Sequence, residues 1–346
     1  MKTDTDMEKV IAAMPKTELH LHLEGAIPLK TLFQLIETQG GDPTINSIDD
    51  LKKKLVYTDF AHFIELWVWK NTFIKEEQDF EEITYQILRE LNNQNVKYLE
   101  AYYSPGDYIR QGLTTSGITE AIITGKKRAY RDFGIQCDLI IDLVRDHGPE
   151  IGMQRVEEVT PFLGKGVIGI GIGGSEQEFP ADPYEPIYKE AKRRGFRLTA
   201  HAGEAAGPAS IWAAIQKLEC ERIGHGVRAE EDPQLVAFLK ESQIPLELCV
   251  ISNVKTRVCK SVESHPIKQY YEEGLMVTVN SDDPTMFNTS LTHEYEILAQ
   301  NLKFSIQDIR QLTLNGIAAS FMSEEEKETM KIQFDREWQQ LLRKYD

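Results

Sequence analysis

The sequence predicts an α/β protein built as a single (β/α)8 TIM barrel, with extra helices after strand one and at the C-terminus. Three observations predict it. Short β-rich runs alternate with longer helical patterns, the arrangement of parallel strands joined by crossovers. Eight such runs can be read along the chain, the number that closes the barrel. The length of 346 residues suits a fold that spans about 200 to over 400. Length alone would also allow two domains. No Pro/Gly/Ser-rich linker, fixed-period repeat or low-complexity stretch divides the chain, so one domain is expected over 1–346, with its core at about 15–322. A doubly wound open sheet is the alternative that alternation alone leaves open.

The strand runs, in order, are Thr17–Leu23, Val96–Ser104, Ile135–Leu143, Gly166–Gly174, Arg197–Gly203, Arg222–Gly226, Ile244–Val250 and Met276–Asp283. Two of the helices between them open on Asp-Pro, at Asp182-Pro183 and Asp232-Pro233. Asp is a favoured N-cap and Pro a favoured first helical residue. Gly195 ends the first of these helices as a left-handed cap. Residues 30–95 carry more helix than one crossover needs, including the aromatic stretch Thr58–Phe73. The tail from Ser305 reads as helix with two capping boxes, Ser305/Asp308 and Ser323/Glu326, and should pack on the barrel exterior.

Composition narrows the function. A hydrophobic fraction of 41% with 27% charged residues is ordinary for a globular chain. Mean hydropathy is −0.38, and no run approaches the roughly 18 apolar residues of a membrane span. A net charge of −16 and a pI near 5.1 argue against nucleic acid and anionic membranes, which both need clustered Lys or Arg. A small-molecule substrate remains open. Cys137, Cys220, Cys249 and Cys259 form no C-x-x-C pair and no disulfide framework, so reduced thiols are expected. The N-terminal stretch has acids where a signal peptide needs bases, and no apolar run, so a cytoplasmic location is expected.

Chemistry in this fold sits at the carboxyl ends of the strands. His20 and His22 end strand one on a shared face, half of a zinc site. His201 ends strand five in HAGE, His225 ends strand six in GHG, and Asp282 and Asp283 end strand eight in NSDDP. A lone strand histidine usually packs in a core, and Asp-Asp-Pro usually starts a helix. The conjunction is different. Four histidines and a carboxylate at four strand ends have little structural use, and burying them without a metal would be costly.

The motifs HLHLEG, GIGGSE, HAGE, IGHG and NSDDP, in that order, resemble the adenosine deaminase family of the amidohydrolase superfamily. The resemblance runs from about residue 15 to 322, and LTLNGIAASFM looks like the family's last barrel helix. It implies one Zn²⁺ on His20, His22, His201 and Asp282, with water in the remaining position. It implies that His225 orients this water and takes its proton, that Glu204 protonates purine N1, that Asp283 hydrogen-bonds N7, and that the Gly174 backbone N–H reaches N3. Strand four has no Lys to bridge a second ion, since Lys165 precedes it at the other barrel end; one metal is therefore expected. The P-C-x-x-C signature of the cytosine-type zinc deaminases is absent.

The expected reaction is hydrolysis of adenosine or deoxyadenosine to inosine or deoxyinosine and ammonia. Aminodeoxyfutalosine, adenine and N6-substituted AMP are alternative substrates, and a non-catalytic barrel a distant one. Glu24 stands where the family usually carries Asp toward the ribose, Ser175 where it carries an acid, and Val250 follows Cys249 where Cys-Pro is usual. Arg145, Lys255, Arg257 or Lys260 would hold an anionic group on an elongated substrate, unless they are simply solvated. Phe60, Phe63 and Trp67 fall on one helical stripe, which reads either as core or as a lid over the purine. His62, His147, His265 and His293 are expected to have no chemical role.

Overall fold

The computed structural model describes residues 4–58 and 60–345. Its eight parallel strands are β1 (Lys16–His22), β2 (Val96–Tyr103), β3 (Gln136–Asp142), β4 (Val167–Gly171), β5 (Arg197–Ala202), β6 (Arg222–His225), β7 (Leu246–Leu248) and β8 (Val277–Val279). They pair in sequential order, β1 to β8. The segment after β8 returns to β1: His22 N–H donates to Asp282 O at 2.9 Å, and Asp282 N–H donates to His20 O at 3.0 Å. The sheet therefore closes, and the open alternative falls. All eight strands lie within or overlap the runs read from sequence. β7 and β8 are shortest, at three residues each, because the chain beyond them leaves the ladder to carry site residues.

Local chemistry explains the helix boundaries. Asp232 caps helix Pro233–Ser242 by accepting from Gln234 N–H at 2.9 Å. The other Asp-Pro behaves differently. Asp182–Tyr184 forms a 3-10 turn and the α-helix starts at Glu185. The reason is the second proline, Pro186, which has no N–H to return to the Asp182 carbonyl. Gly195 ends that helix at φ 98°, as expected. Both tail capping boxes form.

Residues 30–95 hold helices Leu29–Thr38, Ile48–Lys54, Phe60–Asn71 and Glu77–Asn93. A further helix, Asp4–Ala13, was not legible beforehand; Val10 and Ile11 of it are buried. Helix Ile306–Ala319 presses so closely on β1 that a Cβ at Gly316 would lie 2.1 Å from Thr17 Oγ1. The last helix, Glu324–Tyr345, covers it, burying Phe334 and Trp338, whose indole donates to Thr313 Oγ1. All four cysteines are free and buried. Among the described residues, no helix is long and apolar enough to cross a membrane.

Candidate metal and active site

The barrel mouth brings the four expected ligands together. One donor atom from each of His20, His22, His201 and Asp282 lies within 4.8 Å of the others. His22 Nε2 is 3.1 Å from His201 Nε2. Asp282 Oδ1 lies 3.5 Å from His20 Nε2 and 3.4 Å from His22 Nε2. Each ligand is aimed from behind. Glu247 Oε2 accepts from His20 Nδ1 at 2.8 Å, which turns Nε2 inward. Glu247 is itself held by Arg222 Nε at 2.6 Å and Tyr102 OH at 3.0 Å. Ser252 Oγ donates to Asp282 Oδ2 at 2.6 Å and leaves Oδ1 to the cluster. His225 and Asp282 both sit at φ 61°, a left-handed backbone that costs energy for a non-glycine residue and is typical of functional sites.

The electrostatics ask for a cation. Burial disfavours charge on His20, yet its contacts with Asp282 and Glu247 raise it to about 10. Burial keeps His22 and His201 below their ordinary range and so available as neutral donors. Asp282 is buried too, but the surrounding imidazoles hold it well below the usual carboxylate range. His20 Nε2 is buried at the centre with no hydrogen-bond partner. Three imidazoles and one carboxylate around an orphaned nitrogen fit one divalent ion with a position left for water. A second grouping, His225, Cys249 and Asp282, is a poorer candidate because burial drives the Cys249 thiol far above its ordinary value.

Glu204 faces this cluster from the turn after β5. Glu176 shapes that turn: its carboxylate accepts from the backbone N–H groups of Gly203 (2.6 Å), Glu204 (3.1 Å), Ala205 (2.8 Å) and Ala206 (2.9 Å). Glu204 Oε2 then lies 3.6 Å from His225 Nε2. Burial, reinforced by Asp282 and Glu176, pushes Glu204 up to about 8, so its carboxyl carries a proton at neutral pH. Gly174, at φ 93°, has no room for a side chain; a Cβ would meet Asp146 Oδ2 at 2.1 Å. Gly174 and Glu204 share a cavity of about 540 Å³ whose rim holds Ser175, Arg228 and Arg257.

Asp283 and Glu24 occupy the opposite, β8–β1 side. Asp283 lies against Gly25, where a Cβ would be 1.8 Å from Oδ1. Glu24 Oε1 accepts from Ser104 N–H at 2.8 Å. Glu24 Oε2 and Asp283 Oδ1 are buried and unpartnered. Lys70, 1% exposed, comes from helix Phe60–Asn71 and donates to Asn71 Oδ1 at 2.6 Å. Its ammonium lies 3.9 Å from the Trp67 ring centre. Burial lowers Lys70 to about 8 and raises Glu24 to about 7. Phe63 stacks on Phe287, just past Asp283, with ring centres 5.3 Å apart. This puts the aromatic helix over that side of the mouth. The side chain of Phe60 lies outside the described residues.

Arg145 corrects an expectation. It is 1% exposed, and its guanidinium donates to the carbonyls of Gly173 (3.2 Å), Phe179 (3.0 Å), Ile172 (3.4 Å) and His201 (2.7 Å). The cause is local: Val144 turns left-handed at φ 49°, and the following 3-10 turn folds Arg145 inward. Four of its five N–H groups go to these carbonyls and the side chain is buried, so Arg145 ties the ends of β4 and β5 together instead of facing an anionic substrate group. Arg145→Ala should therefore cost about 3 kcal/mol or more, since buried carbonyls lose their partners. Thermal unfolding would read this as a loss of about 4 °C or more. A selective rise in KM for anionic substrates at unchanged stability would contradict it. Lys255 is exposed, and Arg257 donates to Thr58 O at 2.8 Å.

Glu247, Arg222, Ser252, Asn253, Glu176 and Lys70 were not singled out from the sequence. Glu247 had a visible signal, a charged residue between Leu246 and Leu248 in a strand where apolar residues are expected.

A parallel eight-stranded barrel with a buried His/His/His/Asp group and a proton-carrying glutamate at its mouth defines a metal-dependent hydrolase. Residues 15–336 match the adenosine deaminase family, and the chain belongs to it. It is 33% identical over 336 residues to an aminodeoxyfutalosine deaminase of Streptomyces avermitilis, covering 96% of this chain and 94% of that protein. It is 32% identical over 321 residues to an adenine deaminase of Wolinella succinogenes, covering 93% and 97%. It is 31% identical over 325 residues to an adenosine deaminase of Clostridium kluyveri, covering 93% of each. Among solved structures, an adenine deaminase from Arthrobacter aurescens superposes with a TM-score of 0.89 at 30% identity, covering 96% of this chain and all of that one (100%). An amidohydrolase from Burkholderia ambifaria with bound Zn gives 0.91 at 25% identity, covering 100% and 96%. The chain is thus a metal-dependent purine deaminase of this family.

Proposed function

We propose that the chain removes the 6-amino group of an adenine nucleoside, adenosine or deoxyadenosine, with zinc as its ion. The observation that carries the nucleoside reading is on the β8–β1 side of the mouth, where the buried, unpartnered Glu24 Oε2 and the buried Lys70 ammonium offer polar partners beyond those an adenine ring uses. A planar purine with C6 at the metal group would span the mouth, with N1 toward Glu204 on the β5 side and N7 toward Asp283 on the β8 side. The donor set allows zinc, and the zinc-bound relative supports it.

Bound at that group, Zn²⁺ would lower the pKa of a water to about 7 and so supply a nucleophile at neutral pH. Glu204 protonates N1 as the oxygen adds to C6, which places the gained electron pair on a nitrogen that carries a proton. Asp283 hydrogen-bonds N7 and fixes the ring plane. The Gly174 backbone N–H approaches N3, where the absent side chain allows contact. As the C6–N bond breaks, one proton of the water leaves with the amine as ammonia. The other restores Glu204.

The β8–β1 side favours an uncharged sugar over a phosphate. Lys70 there faces three carboxyl groups, Glu24, Asp283 and Asp107. A phosphate site would need more cations and donors, and buried like charges are strongly disfavoured. The spare N–H groups of Lys70 and the orphaned oxygen of Glu24 instead suit sugar hydroxyls. Inosine should therefore inhibit at least about 10-fold more tightly than IMP. Equal or tighter inhibition by IMP would overturn this subsite reading. A second reading, a nucleoside with an extended acidic tail, draws on Arg228 and Arg257 at the cavity rim and on the aminodeoxyfutalosine deaminase relatives.

A further inference from the structure

Four residues form one hydrogen-bonded line that ends in the site. The Ile267 backbone N–H can only donate, and it lies 3.2 Å from His265 Nδ1. His265 Nδ1 is therefore an acceptor, and the ring's proton sits on Nε2. That N–H donates to Asn253 Oδ1 at 3.1 Å. The amide is thereby oriented with Nδ2 toward His225, 3.1 Å from Nδ1. Turning the amide over would set its Nδ2 against the His265 Nε2–H, two donors face to face. Since Nδ1 of His225 accepts, its proton belongs on Nε2, the nitrogen 3.6 Å from Glu204 Oε2 and 3.9 Å from Asp282 Oδ2. His225, Asn253 and His265 are 1%, 0% and 3% exposed, so bulk solvent does not compete for these bonds.

We propose that Asn253 and His265 are positioning residues that fix His225 as its Nε2–H tautomer, so that His225 donates a hydrogen bond to the attacking oxygen rather than taking its proton. The tautomer is a property of the chain itself; only the catalytic consequence rests on the deaminase reading. This replaces the sequence expectation that His225 acts as the base. It also keeps His225 out of the metal's donor set, because a protonated Nε2 has no lone pair to give. The protons still balance: Glu204 gives its proton to N1, and the two protons of the water go to the Glu204 carboxylate and to the departing amine.

The test is ¹⁵N NMR of the full chain labelled at histidine, with and without zinc, His225 being assigned by its absence in His225→Gln. The expected wild-type spectrum has a protonated Nε2 and a bare Nδ1. Asn253→Asp keeps the shape but accepts from both rings, so the proton should move to Nδ1 of His225. On the fastest adenine-type substrate kcat should then fall about 100-fold or more, as wrong-tautomer substitutions do elsewhere, with KM changed much less. His265→Gln, whose amide N–H can still reach Asn253 Oδ1, should keep the tautomer and most of kcat. A wild-type proton on Nδ1 overturns the proposal, whatever the substrate. So does a proton that stays on Nε2 in Asn253→Asp, while a moved proton with unchanged kcat overturns the catalytic half. Should Asn253→Asp not fold, the wild-type spectrum and His265→Gln decide. If no adenine compound is turned over, the deaminase reading fails and the spectra still settle the tautomer.

Discussion

Glu204→Gln is expected to lower kcat by about 10²–10⁴-fold, the usual contribution of a general acid. Metal content should be unchanged, because Glu204 lies outside the donor group of His20, His22, His201 and Asp282. KM should move little, since the amide keeps the side chain's size. The pH dependence follows from the raised value of about 8. The acid is present below that pH and is lost as pH rises through it, so wild-type kcat should fall on the alkaline side. Glu204→Gln has no such acid to lose, and its residual rate should lack that limb. Near-wild-type turnover by Glu204→Gln, with the metal in place, would remove Glu204 from the proton-donor role.

The second large effect is loss of the ion. Asp282→Ala removes one donor and leaves Ser252 and the imidazoles facing an uncompensated gap. Bound metal should fall from one per chain toward zero, and turnover should fall by about 10⁴-fold or more, since the nucleophile at neutral pH depends on it. Chelation of the wild-type protein should do the same, with activity returning on stoichiometric zinc. Because the ion binds the folded chain, its removal should also lower the unfolding temperature. Turnover that survives complete chelation would contradict a metal-dependent reaction.

The barrel and the metal group were legible because they depend on local signals. Strand alternation, capping residues and the H-x-H spacing act over a few residues, and the strand ends then define the mouth. His20, His22, His201, His225 and Asp282 could be placed at the mouth for that reason, while the choice of four of them as ligands came from the family resemblance. What was hidden depends on contacts across long sequence distances. Glu247 reaches His20 and Arg222 inside the barrel, and Asn253 meets His225 only because β6 and the short helix after β7, Val250–Lys255, are neighbours. Arg145 misled for a related reason. A cation after a strand end looks solvent-facing, and only the left-handed turn at Val144 shows that it folds inward. Lys70 was masked by its aromatic neighbours, which read as core or lid; its place shows only in the fold, where Glu24 and Asp283 lie beside it.

The central claim is that this barrel deaminates an adenine nucleoside. Ammonia release by the zinc-loaded chain tests it most directly, measured side by side on adenosine, deoxyadenosine, adenine, AMP, N6-methyl-AMP and aminodeoxyfutalosine. The account predicts the highest kcat/KM for adenosine or deoxyadenosine, at about 10⁴ M⁻¹s⁻¹ or more, with one 6-oxopurine formed per ammonia. A faster reaction with free adenine or a nucleotide would contradict the nucleoside reading of Glu24, Lys70 and Asp283. No ammonia from any of the six, with one zinc bound per chain, would contradict the reaction itself.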